Sequence, residues 1–180
     1  IEDEQHDYRR REKAVGEARR AALSEIWPTE GYVGIQKLCQ IGDAPSTVGW
    51  GLADGVIPDD ATEAFVEQLA SEDASARWAD LCLAMFLGRL APAACSALLI
   101  GVKTRLSKQD TAGEEKLLRI LKAAPFGKST WDQVASLGDR LRQRYWAEVL
   151  PQWQHQSSEE LHELVDRLLE VNRPRAAFHV

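Results

Sequence analysis

The segment Phe126-Gly127-Lys128-Ser129-Thr130 carries the Gly-Lys-Ser tail that closes a phosphate-binding P-loop. That chemistry needs a glycine five residues ahead of Gly127, so that backbone N–H groups wrap the phosphates while the lysine reaches their outer oxygens. Lys122 occupies that position, and residues 117–123 read as helix where a P-loop follows a strand. A loop after Pro125, leading into a helix capped by the Ser129 hydroxyl, accounts for the same residues more simply. A nucleotide-handling enzyme using Gly127, Lys128 and Ser129 stands as the alternative function.

The other groups able to do chemistry do not converge. His6, His155, His162 and His179 show no His-x-x-x-His or Cys/His spacing, so surface roles are expected for all four. No Gly-x-Ser-x-Gly nucleophile elbow occurs. The carboxylate pairs Asp59-Asp60, Glu114-Glu115 and Glu159-Glu160 each fall in the first turn of a predicted helix, where they complement the positive end of its dipole. Cys39, Cys82 and Cys95 sit among apolar residues at helical spacing without a Cys-x-x-Cys, which implies reduced, buried thiols and a cytoplasmic location. The sequence thus assigns no catalytic residue, no cofactor and no metal site. Of six tryptophans, most are expected between packed helices; Trp153, in the polar stretch 152–156, is the candidate partner-binding anchor.

The elements that must position these residues are helical throughout. A long charged helix is expected over 2–27, with Ala14, Ala18, Ala21, Ala22 and Ile26 as its apolar stripe and Pro28 as its end. Helices follow over 32–41, from Pro45 to a fading end at Gly55, from Asp59 through Leu69, from a Ser75 cap to Leu87, and from Pro92 to about Leu106. After a polar loop over 108–113 come helices over 114–123, 129–137, 139–149 and 158–171, the second and last of these capped by Ser129 and Ser158, and a final one starting at Pro174. No segment shows the β-branched alternation and hairpin turns of strands.

Composition fits such a chain. Its 180 residues, 44% apolar and 28% charged, suit one folded domain over 1–180, with a subdivision near the 107–113 loop. The strongest apolar runs, 81–87 and 93–102, fall short of the roughly 20 residues a membrane span needs, and the acidic start is unlike a secretory leader. A net charge of −6 gives no footprint for nucleic acid. The basic groups Arg9-Arg10-Arg11, Arg19-Arg20, Arg140/Arg142/Arg144 and Arg173/Arg175 are mostly interleaved with acids. The chain lacks an initiator Met and opens inside a helical pattern, and is read as a portion of a longer protein.

One pattern recurs: an apolar helical stripe, a helix-stopping position, then a proline that starts the next helix. It runs Ile35, Leu38, Cys39, Ile41, Gly42, Pro45, and returns as Leu81, Ala84, Met85, Leu87, Gly88, Pro92. A looser copy is Leu117, Ile120, Leu121, Ala123, Ala124, Pro125, and the last is Val165, Leu168, Leu169, Val171, Asn172, Pro174. Gly, or failing that Asn, suits the left-handed C′ position, and Pro suits the first helical turn. The copies lie 36 to 48 residues apart, close to the period of helical solenoid repeats. Arg19, Leu23, Glu25, Ile26 and Pro28 also align with Arg142, Trp146, Glu148, Val149 and Pro151 at one constant offset.

The segment Tyr145-Trp146-Ala147-Glu148-Val149, Pro151, Leu168-Leu169 and Arg173-Pro174-Arg175-Ala176-Ala177 resembles a motif in the helical-repeat regions of very large bacterial proteins. Many of those resemble NACHT-like or other signal-transducing P-loop NTPases, some tied to phage defence. The resemblance is specific over 129–180 and generic before it, and Asn172 stands where the motif has glycine. It implies a HEAT- or TPR-like repeat region that senses a ligand or supports assembly, with enzymatic modules elsewhere.

The expectation is therefore an all-α solenoid of stacked helical hairpins, with about four repeats and about nine to eleven helices. It would act as a non-enzymatic scaffold or sensor that binds a protein partner or its own chain. Without neighbouring repeats, its ends should favour self-association. A compact helical oligomerisation bundle is the other alternative.

Overall fold

The structure, a computed structural model, describes residues 2–42, 44–107, 110–152 and 157–178, with side chains described from Arg10 onward. Among the described residues the regular structure is ten α-helices and no strand, an all-α helical bundle. The helices form two compact units, Ile1–Ala91 and Pro92–Val180.

In the first unit, α1 (Glu2–Ile41) is two helices joined at Gly31, whose φ of 55° and ψ of −141° are non-helical. The sequence places this break at Pro28; the helix instead runs through the proline and breaks three residues later. A helix survives one proline because only one N–H bond is lost. The Thr29 hydroxyl donates to the carbonyls of Glu25 (2.9 Å) and Ile26 (3.1 Å) in the same turn. Gly31 then takes a left-handed conformation that a side chain would oppose. The helices α2 (Pro45–Leu52), α3 (Asp59–Ser71) and α4 (Arg77–Arg89) follow; α2 packs on α1 and α4, and α3 on α4.

Phe65, fully buried, is the centre of this unit's core: Trp27, Tyr32 and Phe86 meet its ring edge-on at 5.6, 6.0 and 5.3 Å between centroids. The Tyr32 hydroxyl donates to Glu72 Oε1 (2.8 Å), as does Gln36 Nε2 (3.1 Å), so the second half of α1 is tied to the end of α3. Burial, then the Glu72 carboxylate, pushes the Tyr32 phenol up. Beside this core, α2 approaches its neighbours backbone first. A Cβ at Gly49 would lie 2.2 Å from the Cys82 carbonyl oxygen of α4, and one at Gly51 would lie 2.7 Å from Leu23 Cδ1 of α1.

The second unit comprises α5 (Pro92–Leu106), α6 (Thr111–Ala123), α7 (Lys128–Ala135), α8 (Asp139–Glu148), α9 (Ser158–Glu170) and α10 (Pro174–Phe178). Its main packing is between helices adjacent or next-but-one in the chain: α5 with α6 and α7, α6 with α8, α7 with α8, α8 with α9, and α9 with α10. Leu99, Val102 and Leu106 of α5 and Leu117 and Leu121 of α6 are buried where these two helices pack. An aromatic run follows: Trp131 meets Phe126 at 5.2 Å and Trp146 at 5.7 Å, and Trp146 meets Tyr145 at 5.2 Å.

The helix junctions depart from expectation in an informative way. Of the four stop positions, only Asn172 is left-handed, with φ 58°. There the Arg173 N–H bonds the Leu168 carbonyl (2.8 Å) and the Asn172 N–H that of Leu169 (2.9 Å), which is the Schellman pattern. Gly42 and Gly88 are not left-handed, and Gly88 lies inside α4. Ala124 is extended (φ −66°, ψ 156°) because Pro125 follows it. The expected serine caps also shift. Asp73 accepts from the Ser75 N–H and hydroxyl (2.8 and 2.6 Å), Gly127 occupies the cap position expected of Ser129, and Ser157 takes the place of Ser158. Ser157 and Glu160 form a reciprocal capping box.

These environments separate the glycines. Nothing lies within 4 Å of a Cβ at Gly88, so Gly88→Ala should raise stability by up to about 1 kcal/mol through helix propensity. Gly49→Ala, facing backbone that cannot swing aside, should lower it by at least about 2 kcal/mol. Urea unfolding followed by tryptophan fluorescence measures both, and a stabilised Gly49→Ala would contradict the close α2–α4 approach.

Candidate functional site

Lys128 is the exposed cation nearest to a P-loop pattern, and its surroundings are those of an ion-paired helix start. Its Nζ lies 2.7 Å from Asp132 Oδ1 and 3.1 Å from Glu163 Oε2, linking α7 to α9. Asp132, then Glu163, raise its pKa. Gly127 is extended, Ser129 is exposed in the first turn of α7, and the Thr130 hydroxyl is committed to the Pro125 carbonyl at 2.7 Å. Residues 111–123, where a P-loop has its strand, are helix α6, and Lys122 pairs with Glu148 at 2.9 Å.

The other singled-out residues stay apart. His162 Nδ1 donates to the Ser158 carbonyl one turn back (2.7 Å). His155, His179 and the candidate anchor Trp153 lie outside the described residues, as does the His6 side chain. Among the described residues no three His, Cys, Asp or Glu side chains are grouped to hold a metal ion. No helix of the described residues is long and apolar enough to cross a membrane. The three cysteines are free thiols and buried, and burial pushes the Cys95 thiol up. Trp131 and Trp146 are buried, whereas Trp50 is 48% exposed.

Two of the carboxylate pairs do more than their position in a first turn suggests. Glu114 pairs with Arg140, and Glu115 with Arg144, whose Nη2 is 3.0 Å from Glu115 Oε2. Arg144 also reaches Glu148 within α8 (3.3 Å), and Glu148 pairs with Lys122 of α6, so a ladder of charges links α8 to α6. Glu160 closes the α9 capping box, and the Ser157 N–H holds its carboxyl below the usual range. Arg173 donates to the carbonyls of Trp146 and Val149, both at 2.8 Å, bringing a cation to the negative end of α8. Spacing along the sequence could not show the pairings of Arg140 and Arg144 with α6 or of Arg173 with α8, since those partners lie 24 to 29 residues apart.

Among the described residues, each unit has a surface groove able to hold a ligand. In the first unit, a groove of about 560 Å³ runs past Lys13, Gly16, Arg19, Trp50, Gly51 and Met85. Arg89 stacks 5.0 Å over the Trp50 ring and pairs with Asp54 at 3.4 Å. In the second unit, a groove of about 470 Å³ is lined by Lys103, Ser136, Gly138, Arg140 and the leucines 117, 137 and 141. The Lys103 ammonium there donates to Gln133 Oε1 (2.7 Å) and Ser136 Oγ (2.8 Å). Compared with protein-family profiles, curated proteins and solved structures, the chain matches none.

The α6–α8 ladder has a pH signature. Arg144 holds the Glu115 carboxyl below the usual range, and Lys122, then Arg144, do the same for Glu148. The folded chain then binds fewer protons than the unfolded one. The contribution is complete above the unfolded carboxylate pKa, about 4.3, and is lost as pH falls through the folded values. Because these groups are largely exposed, the effect should be modest and screened by salt. The Tm of the wild type should fall more steeply between about pH 5 and 3 than that of Glu115→Gln/Glu148→Gln. Equal slopes would contradict the ladder.

Proposed function

We infer that the chain is a helical-repeat interaction module, without catalytic chemistry of its own, which binds a protein partner or another part of its own chain along an extended surface. In this reading it belongs to a larger bacterial protein of the NACHT-like or related signal-transducing P-loop NTPase kind. The observation that carries it is the packing of α5 to α10, where the main contacts join helices one or two places apart in the chain. Stacked hairpins in a solenoid pack this way, and they create binding surface by repetition, without special residues. The junction at Asn172 supports the same reading. The residues of the resemblance, Trp146, Val149 and Arg173, are joined by hydrogen bonds.

The nucleotide alternative finds no such support, because Lys128 is held by Asp132 and Glu163. Proximity labelling from the chain in its host, then titration of the recovered protein against the purified chain, tests the proposal. Saturable binding at fixed stoichiometry is expected, with melting unchanged by ATP and magnesium. A thermal shift with ATP and magnesium that Lys128→Ala abolishes, with no saturable protein ligand, would overturn it.

A further inference from the structure

We propose that the groove of the second unit binds the C-terminal carboxylate of a peptide ending in an apolar residue. This rests on the interaction reading above and names the chemistry that one of its surfaces would recognise. Lys103 is half-buried, and among the described residues its ammonium is bound to two neutral oxygens, those of Gln133 and Ser136. An ammonium has three donors and favours an anionic acceptor, to which its bonds are shorter and stronger. The acids that line the groove already have cations: Glu114 pairs with Arg140, and Asp139 with Arg142. Among the described residues that line the groove, Lys103 is thus the charged side chain without an ion pair.

Beside that cation the groove is lined by the half-buried Leu137 and the largely buried Leu117 and Leu141, together with Thr104, Ser107 and Ser136. A ligand must then present one negative charge and an apolar group within the length of one residue. An α-carboxylate and the side chain of the same terminal residue share one Cα and meet that condition. A side-chain carboxylate places its charge at the far end of a polar residue. Helix α8 begins at the groove with Gly138 as its cap residue and no side-chain cap, so the start of its dipole adds to the same field.

The test is an NMR titration of the whole chain with N-acetyl-leucine, its neutral analogue N-acetyl-leucinamide, and the α-amide of N-acetylglutamate. N-acetyl-leucine should shift the signals of Lys103 and of residues 136–141 with a millimolar Kd, and the leucinamide should bind about tenfold more weakly. Lys103→Gln should remove the difference between the two, and Lys103→Arg should keep it, which separates loss of charge from loss of fold. Equal binding of the leucinamide, equal or tighter binding of the glutamate amide, or no response in the groove would each overturn the assignment. Any of these alongside saturable binding of a protein partner would remove the groove's role and leave the interaction reading standing.

Discussion

Two helices can approach no closer than the side chains between them allow, and in residues 1–91 that limit is set by Gly49. Its backbone rests against the Cys82 carbonyl, at a separation that leaves no room for even a methyl group. The rest of the unit packs around this contact. With α2 seated on α4, Val48 and Leu52 are buried, and Gly51 admits the Leu23 side chain from α1. Gly31 redirects α1 after that contact, so that Tyr32, Ile35 and Cys39 lie on the core side. Phe65 and its edge-on neighbours fill the remaining volume.

Residues 92–180 solve the same packing problem with large side chains. Trp131, Tyr145 and Trp146 span the space between helices, and their width needs no close backbone contact. Here polar groups set the alignment. The Glu–Arg ladder links α8 to α6, and Arg173 reaches back from the start of α10 to the last carbonyls of α8. The ladder is exposed and contributes little energy, whereas Arg173 satisfies carbonyls that would otherwise lack donors. Packing between helices one or two places apart in the chain is the basis for the proposal that this half is a stack.

The features legible in the sequence are those decided within a few residues. Pro45, Pro92 and Pro174 open helices where expected, because a proline's fixed φ acts on its own turn. Asn172 is left-handed, as its place before Arg173-Pro174 suggests. Gly42 and Gly88 share the pattern but continue as helix or bend, since glycine permits the left-handed conformation without requiring it. The serine caps moved by a residue or two: Asp73 engages the Ser75 hydroxyl before α4 starts, Gly127 opens α7 without a side-chain cap, and Ser157 takes the Glu160 N–H. The role of Gly49 was not visible, since it depends on Cys82, 33 positions along the chain. The groove at Lys103 was equally hidden: its partners Gln133 and Ser136 lie 30 and 33 residues away, and no motif joins them.

Truncation tests directly the proposal that residues 92–180 form a stack in which each helix depends on its neighbours. In a stack, stability is a sum of local and nearest-neighbour contributions, so removing one end weakens the rest by degrees. Hydrogen exchange on a chain ending after Gln152, which lacks α9 and α10, reads this helix by helix. In a stack, α5 and α6 should keep most of their protection while α8, deprived of Arg173, loses most of its own. Uniform loss of protection across α5 to α8 would show a single cooperative bundle and contradict the stack.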